Sequence, residues 1–84
     1  MTRVKYPNEL YLLKQSTAFQ AAQAGLALTN RDMADGLNVR MPMLKRYRNG
    51  LTLFQPDLLY LRSIEDDDIA AFAQAYIKAL WFGL

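Results

Sequence analysis

Three features of the sequence predict an all-α fold, a compact bundle of about five helices. Apolar residues recur at three- and four-residue spacing, β-branched residues are sparse, and no alternation of apolar and polar residues persists. Proline and glycine also divide the chain into short blocks. The dividing residues are Pro7, Gly25, Gly36, Pro42, Gly50 and Pro56. The length of 84 residues predicts one domain over residues 1–84, and 52% of them are hydrophobic, enough to form a core.

The first helix is predicted to begin at Pro7 and to end at Gly25. Proline suits a first helical turn because its missing N–H would have no partner there. Apolar or small residues at three- and four-residue spacing form the predicted apolar face of this helix. They are Leu10, Leu13, Thr17, Ala21 and Ala24.

The second helix is predicted to follow Thr29, which is suited to cap its N-terminus. Asp32 stands three residues later, as in a variant of the capping box, in which cap and third residue bond each other's backbone N–H. The inward side chains are predicted to be Met33, Ala34 and Leu37.

The third helix is predicted to have Pro42 near its start and Gly50 just past its end, the usual order of these residues around a helix. Leu44 and Tyr47 are predicted to face inward. The cations Lys45, Arg46 and Arg48 are predicted to point away from the core.

Two further helices are predicted in the last third of the chain. The fourth begins around Pro56 or Asp57 and runs through Leu58, Leu59 and Leu61. The fifth is introduced by the acidic run 65–68, whose charges complement the positive end of a helix dipole. Its apolar stripe is Ile69, Phe72, Ala73, Tyr76, Ile77, Leu80 and Trp81.

Opposite charges are separated along the chain, although the formal net charge is only +2. No acidic residue occurs from Gly36 to Pro56, a stretch that contains four cations, whereas four consecutive acids occupy positions 65–68. The cations are Arg40, Lys45, Arg46 and Arg48. This distribution indicates one face built to contact a polyanion.

Several classes of function are disfavoured by what the sequence lacks. Without cysteine there are no disulfides or thiolate metal sites, and without histidine the usual imidazole base is missing. The acidic run 65–68 is better explained as capping and solvation than as a metal site. We therefore expect no catalytic activity, no metal and no cofactor.

The sequence predicts a cytoplasmic protein. No apolar run approaches the roughly 18 residues that a membrane span needs. The N-terminal residues 1–6 include two cations, but no apolar stretch follows them as in a secretory signal.

A characteristic pattern runs from Thr29 to Gly50, TNRDMADGLNVRMPMLKRYRNG. A capping residue is followed by a hydrophobic residue with alanine directly after it, then by a hydrophobic–Asn–hydrophobic triplet, in which asparagine tolerates positive φ. An aliphatic and a large inward residue precede the closing glycine. The residues in these roles are Thr29, Met33, Ala34, Leu37, Asn38, Val39, Leu44, Tyr47 and Gly50. Without a gap over these 22 residues, the segment resembles the helix-turn-helix of the Cro/lambda-repressor (XRE) family.

That resemblance implies contacts with DNA. The start and outer face of the third helix would enter the major groove, and Arg46 would bond guanine O6 and N7. Met41 and Pro42 would pack against thymine methyl groups, although the family usually has polar residues at positions 41–43. The implied groove residues are Arg40, Met41, Pro42, Lys45 and Arg46, and the implied phosphate contacts are Asn30, Asn49, and Thr52 or Gln55.

Each assignment has an ordinary alternative. Arg48 is a further candidate for DNA contact. Arg31, Arg46 and Arg48 are equally typical of a solvated protein surface. Met41 and Met43 are also suited to fill the core or to contact a partner. Asn49 fits the polar position before a terminal glycine.

The C-terminal helix, residues 65–84, is predicted to contribute to a homodimer. Its stripe is more apolar than a small bundle readily buries, which favours a self-complementary patch. The predicted dimer residues are Phe72, Tyr76, Leu80 and Trp81. Two copies would read a pseudo-palindromic operator with half-sites about one helical turn apart.

The resemblance therefore implies a homodimeric, sequence-specific binder of double-stranded DNA that regulates transcription, as a repressor by occlusion. The alternative is a protein-interaction module or an antitoxin built on the same fold, with the C-terminal helix as a contact surface.

Overall fold

The computed structural model describes residues 5–82, with side chains from Glu9 onward. These residues form five α-helices and no strand, which confirms the predicted all-α class. The helices are α1 (Lys5–Gly25), α2 (Asn30–Leu37), α3 (Met41–Arg48), α4 (Pro56–Glu65) and α5 (Asp67–Phe82). The first helix begins two residues before the predicted start at Pro7. Gly83 and Leu84, the end of the predicted C-terminal helix, lie outside the described residues.

The core is a cluster of aromatic rings enclosed by all five helices. Helix α5 packs against α1 and α4, and α3 packs against α1 and α2. At the centre, the ring of Phe19 lies 4.8 Å from that of Phe72 and 5.3 Å from that of Phe54, both edge to face. Such pairs stabilise a core by about 0.5–1.5 kcal/mol beyond the area they bury.

The predicted apolar face of α1 is wrong. Leu10 and Leu13 are 63% and 65% exposed, and Thr17, Ala21 and Ala24 are exposed with them. The buried side chains are Gln15, Ala18, Phe19, Ala22 and Gln23. That face is offset by two positions, about 200° around the helix. The sequence analysis missed the buried face because two of its residues are glutamines, which are buried only where their amides form hydrogen bonds.

Local signals around α2 and α3 are confirmed. Thr29 Oγ1 accepts a hydrogen bond from the Asp32 backbone N–H, and an Asp32 carboxylate oxygen accepts one from the Thr29 N–H, both at 3.0 Å. Asn38 ends α2 in the left-handed conformation, with φ of 58°. Gly50 follows α3 with φ of 71°, and a Cβ there would lie 2.5 Å from the Leu12 carbonyl oxygen. Both the turn and the close approach therefore require glycine at position 50.

The predicted inward residues of α2 and α3 are likewise confirmed. Met33, Ala34 and Leu37 are buried on α2, and Leu44 and Tyr47 are buried on α3. These five side chains fix the two short helices on the core and leave the opposite side of α3 exposed.

The stripe of α5 divides between the core and the surface. Phe72 and Tyr76 are buried inside this single chain, so the prediction that they contact a second copy is wrong. Both rings face Phe19 of α1 and are covered by it. Leu80 is half-buried against the core, whereas Trp81 is 76% exposed. None of the described helices is both long and apolar enough to cross a bilayer.

Candidate nucleic-acid interface

The outer side of α3 is an exposed cationic face, which we define as Arg40, Lys45, Arg46 and the helix surface between them. Arg40 occupies the N-cap position, and all three cations are exposed. Behind them, Leu44 and Tyr47 anchor the helix to the core, where the Tyr47 ring lies 5.0 Å from that of Phe54. The sequence prediction that Lys45 and Arg46 point outward is confirmed.

The positive charge of this face is not neutralised by neighbouring acids. Among side chains from Glu9 to Phe82, the one ion pair joins Arg62 and Glu65, on α4. No acid occurs from Gly36 to Pro56, so the exposed side of α3 and the segment after it present cations, neutral polar groups and some apolar side chains, among them Leu51 and Leu53. Such a surface attracts a polyanion.

Arg46 is held by a hydrogen bond to the segment that follows α3. Its Nε–H donates to Thr52 Oγ1 at 2.8 Å, and its two terminal nitrogens make no hydrogen bond within the described residues. Thr52 is half-buried, and because its oxygen accepts this bond, its own O–H remains able to donate. The structure thus brings two of the predicted contact residues together.

The apolar residues at the start of α3 differ in their accessibility. Pro42 is exposed in the first turn, whereas Met41 is half-buried and packs against the core. Met43 is 38% exposed. Met41 therefore fills the core in part, which was one of its sequence-based interpretations, and Pro42 and Met43 form the apolar surface at this end.

Asn30 and Arg48 meet at the side chain of Gln23. The Gln23 amide nitrogen donates to Asn30 Oδ1 at 2.9 Å, and its oxygen accepts from Arg48 Nε–H at 3.2 Å. Arg48 was predicted to point away from the protein, but it is half-buried because it lies along α1. Asn30 is also half-buried, at the first position of α2. Asn49 and Gln55, the remaining predicted phosphate contacts, are exposed.

Gln15 fixes the C-terminal end of α3, a role that the sequence analysis missed. Its side chain is fully buried, and its amide nitrogen donates to the carbonyl oxygens of Tyr47 and Thr52, both at 2.9 Å. Its oxygen accepts from the Phe54 N–H, also at 2.9 Å. Gln15 and Gln23 both lie on the buried side of α1. Because polar residues interrupt the apolar pattern of that side, no signal in the sequence could have revealed them.

A second surface is apolar and lies on the other side of the core. A groove of about 320 Å³ runs between α1, α4 and α5. Tyr60, Ile77 and Trp81 are among its exposed lining residues. Among the described residues, the Tyr76 hydroxyl beside it makes no hydrogen bond, and burial together with the nearby Tyr11 raises the pKa of Tyr76. At neutral pH the groove is therefore uncharged on this side.

Metal binding and anion binding require different polar groups around α3. Among the described residues, no three acidic side chains lie close enough to hold a metal ion. The polar groups that converge around α3 are mainly hydrogen-bond donors on cations and amides, which suit an anionic partner. Comparisons with protein-family models, with curated proteins and with solved structures found no match for this chain.

Proposed function

We propose that this chain is a sequence-specific regulator of transcription that binds double-stranded DNA, a cytoplasmic homodimeric repressor of the Cro/lambda-repressor (XRE) type. The observation that carries the proposal is the cationic face of α3, which is exposed and forms no ion pair with the acids from Glu9 to Phe82. The opposite side of the helix is anchored by Leu44 and Tyr47. In this proposal α2 and α3 form the helix-turn-helix, and α3 is the recognition helix.

The dimensions and chemistry of α3 support this assignment. A helix with its side chains is about 10–12 Å across, and the major groove of B-DNA is about 12 Å wide. The two terminal nitrogens of Arg46 make no hydrogen bond within the described residues, and this pair of donors fits guanine O6 and N7. Pro42 and Met43 offer apolar contact to thymine methyl groups at the start of the helix.

Contacts with the DNA backbone would flank the recognition helix. The first turn of α2 presents backbone N–H groups, and Asn30 stands at its first position. Thr52 and Gln55 precede α4 on the other side, and Asn49 follows α3. Polar side chains and helix N-termini of this kind set the register of a protein on a duplex.

A homodimer would form through the apolar groove rather than through the buried rings of α5. Trp81 is its most exposed aromatic residue, and Tyr60 and Ile77 adjoin it. Two copies related by a two-fold axis would present two α3 helices to half-sites about one helical turn apart.

The test is DNA binding by the wild type and by Arg46→Ala. Footprinting on the DNA that flanks the protein's own gene identifies the operator, and fluorescence anisotropy then measures the affinity. We expect Arg46→Ala to lose about 1–3 kcal/mol of binding free energy and to relax sequence preference at one position.

Lys78→Ala is the matched control for this test, because it removes one exposed cation from α5 at a distance from α3. We expect the control to bind as the wild type does. Operator binding by Arg46→Ala that equals the wild type would show that the recognition face is wrongly assigned.

The second candidate is a protein-interaction module, in which an antitoxin is included. The exposed apolar side of α1, with Leu10 and Leu13, and the apolar groove favour it. A DNA binder loses affinity steeply between about 50 and 200 mM salt, because counterions are released when phosphates are neutralised. Absence of any salt-dependent binding to duplex DNA would favour the interaction module.

A further inference from the structure

Building on the proposed function, we propose that Gln23 is a positioning residue for DNA backbone contact. Its side chain holds Asn30 and Arg48 so that their free hydrogen-bond donors are directed to one phosphate beside the first turn of α2. Gln23 itself is 6% exposed and does not touch the DNA.

The partners of Gln23 leave its amide one possible orientation. The nitrogen donates to the Leu28 carbonyl oxygen at 3.0 Å and to Asn30 Oδ1 at 2.9 Å, and the oxygen accepts from Arg48 Nε–H at 3.2 Å. A carbonyl oxygen can only accept and Arg48 Nε can only donate. If the amide were turned around, its oxygen would face the Leu28 carbonyl oxygen and its nitrogen would face Arg48 Nε. Neither pair can form a hydrogen bond, and unpaired polar groups are costly in a buried site.

This orientation decides what Asn30 presents to its surroundings. Because Oδ1 is engaged by Gln23, the Asn30 Nδ2 group, with its two N–H bonds, is the free end of the side chain. Nδ2 makes no hydrogen bond within the described residues. Asn30 therefore offers donors rather than an acceptor, which is the polarity that a phosphate oxygen needs.

Arg48 is left in a corresponding state. Its Nε–H is used by Gln23, and its two terminal nitrogens make no hydrogen bond within the described residues. Arg48 is half-buried as a residue, and it forms no ion pair with any acid from Glu9 to Phe82. A partly desolvated cation without a counterion is stabilised by an arriving anion, and arginine bonds phosphate with particular strength.

The backbone adds donors at the same place. The capping residue Thr29 accepts from the N–H groups of Asp32 and Met33. The N–H groups of Asn30 and Arg31 precede them in the first turn of α2 and take no part in the cap. Gln23 thus joins two side chains to a helix start at which anions are favoured.

The experiment compares Gln23→Met with the wild type on a short fluorescein-labelled duplex of mixed sequence. The observed affinity is measured by anisotropy at several salt concentrations, below the unfolding temperature of each protein. We expect affinity to fall roughly tenfold at low salt. The slope of log affinity against log salt should decrease by about one, as for one lost phosphate contact.

Ile69→Val is the control. Ile69 is buried on α5 and is none of the proposed DNA contacts. The change is expected to lower thermal stability and to leave the salt slope unchanged. A merely structural role for Gln23 would give the same result as this control.

A double-mutant cycle then tests whether Gln23 acts through its two partners. The double variant Asn30→Ala, Arg48→Met removes both half-buried side chains that Gln23 holds. We expect it to reduce the slope of log affinity against log salt as Gln23→Met does. Adding Gln23→Met to the pair should cause no further reduction. If Gln23→Met does not fold, Gln23→Glu replaces it, since glutamate keeps the acceptor for Arg48 and loses both donated bonds.

Two failures are distinguishable. If the wild type shows no salt-dependent binding to duplex DNA, the proposed function fails. The positioning role of Gln23 fails in a different way. It is overturned if the wild type binds with a clear salt slope and a folded Gln23 variant keeps that slope. It is also overturned if the double variant Asn30→Ala, Arg48→Met keeps the slope, and in both cases the proposed function stands.

Discussion

The protein has two exposed surfaces of opposite character. The face of α3 is cationic, with Arg40, Lys45 and Arg46 exposed, whereas the groove between α1, α4 and α5 is apolar, with Trp81 exposed beside it. The first would bind through charge and therefore weaken with salt. The second would bind through removal of apolar surface from water, which depends little on salt. The cationic face is therefore suited to an anionic partner, and the groove to an apolar one.

The two surfaces are also supported differently from within. Behind α3, the buried amide of Gln15 bonds the backbone at Tyr47 and at the segment beyond it. Behind the groove, the support is a cluster of rings around Phe19, Phe54 and Tyr76. Phe54 belongs to both supports, because its ring lies 5.0 Å from Tyr47 and 5.6 Å from Tyr76. Damage to the ring cluster should therefore affect both surfaces at once.

Phe19→Ala is the change expected to have the largest effect, and it tests that common support. Phe19 is fully buried and meets three aromatic rings, so its loss should lower the free energy of unfolding by about 3–5 kcal/mol. Native proteins have about 5–15 kcal/mol in total, so this loss would remove a large fraction of the stability. Denaturant unfolding followed by circular dichroism measures this change. A loss below about 1 kcal/mol would mean that the two surfaces do not share this core.

The same comparison explains which parts of the molecule could be predicted from its sequence. The cap at Thr29, the left-handed Asn38 and the terminal Gly50 are local signals, decided by residues within a few positions, and all three were predicted correctly. The buried face of α1 depends instead on distant partners. Gln15 bonds residues 32 to 39 positions away, and no local pattern shows that a glutamine will find them.

The division of α5 between core and surface depends on tertiary packing in the same way. The apolar stripe of α5 was recognisable, but the sequence did not show that α1 would cover Phe72 and Tyr76 and leave Trp81 exposed. Lys45 and Arg46 were easier to place, because the inward positions of Leu44 and Tyr47 fix the opposite side of a short helix. Arg48 was placed wrongly, because its contact with Gln23 of α1 is another tertiary one.

Trp81→Ala should have the second-largest effect and should act on the apolar surface alone. A central aromatic residue of an interface contributes about 2 kcal/mol or more, so the dissociation constant of the proposed dimer should rise about thirtyfold. Stability of the monomer should change little, because Trp81 is mostly exposed. Sedimentation over a range of protein and salt concentrations measures the association.

Phe82→Ala provides the matched comparison for Trp81→Ala. Phe82 is even more exposed, but it lies beside a different groove, with Ala21, Gly25 and Lys78. If Phe82→Ala weakened association and Trp81→Ala did not, the dimer surface would lie on that other side of α5.

The smallest expected effect concerns the capping box that begins α2, on the side of the molecule that we propose to bind DNA. The backbone N–H and hydroxyl of Thr29 lower the pKa of the Asp32 carboxyl below its usual value of about 4. The ionised form is therefore favoured in the folded state, so its contribution to stability is present above the unfolded pKa. It is lost as the pH falls through the lower, folded pKa. The stability of the wild type should thus fall below about pH 4 more than that of Asp32→Asn.

Thermal unfolding at pH 6 and at pH 3 measures this difference. Asp35→Asn is the control, since Asp35 is exposed on the same helix and its side chain makes no hydrogen bond among the described residues. It should retain the acid sensitivity of the wild type, because the Thr29–Asp32 bonds remain in it. Equal acid sensitivity of Asp32→Asn and the wild type would show that this cap contributes nothing through ionisation. The start of α2 would then depend only on its neutral hydrogen bonds.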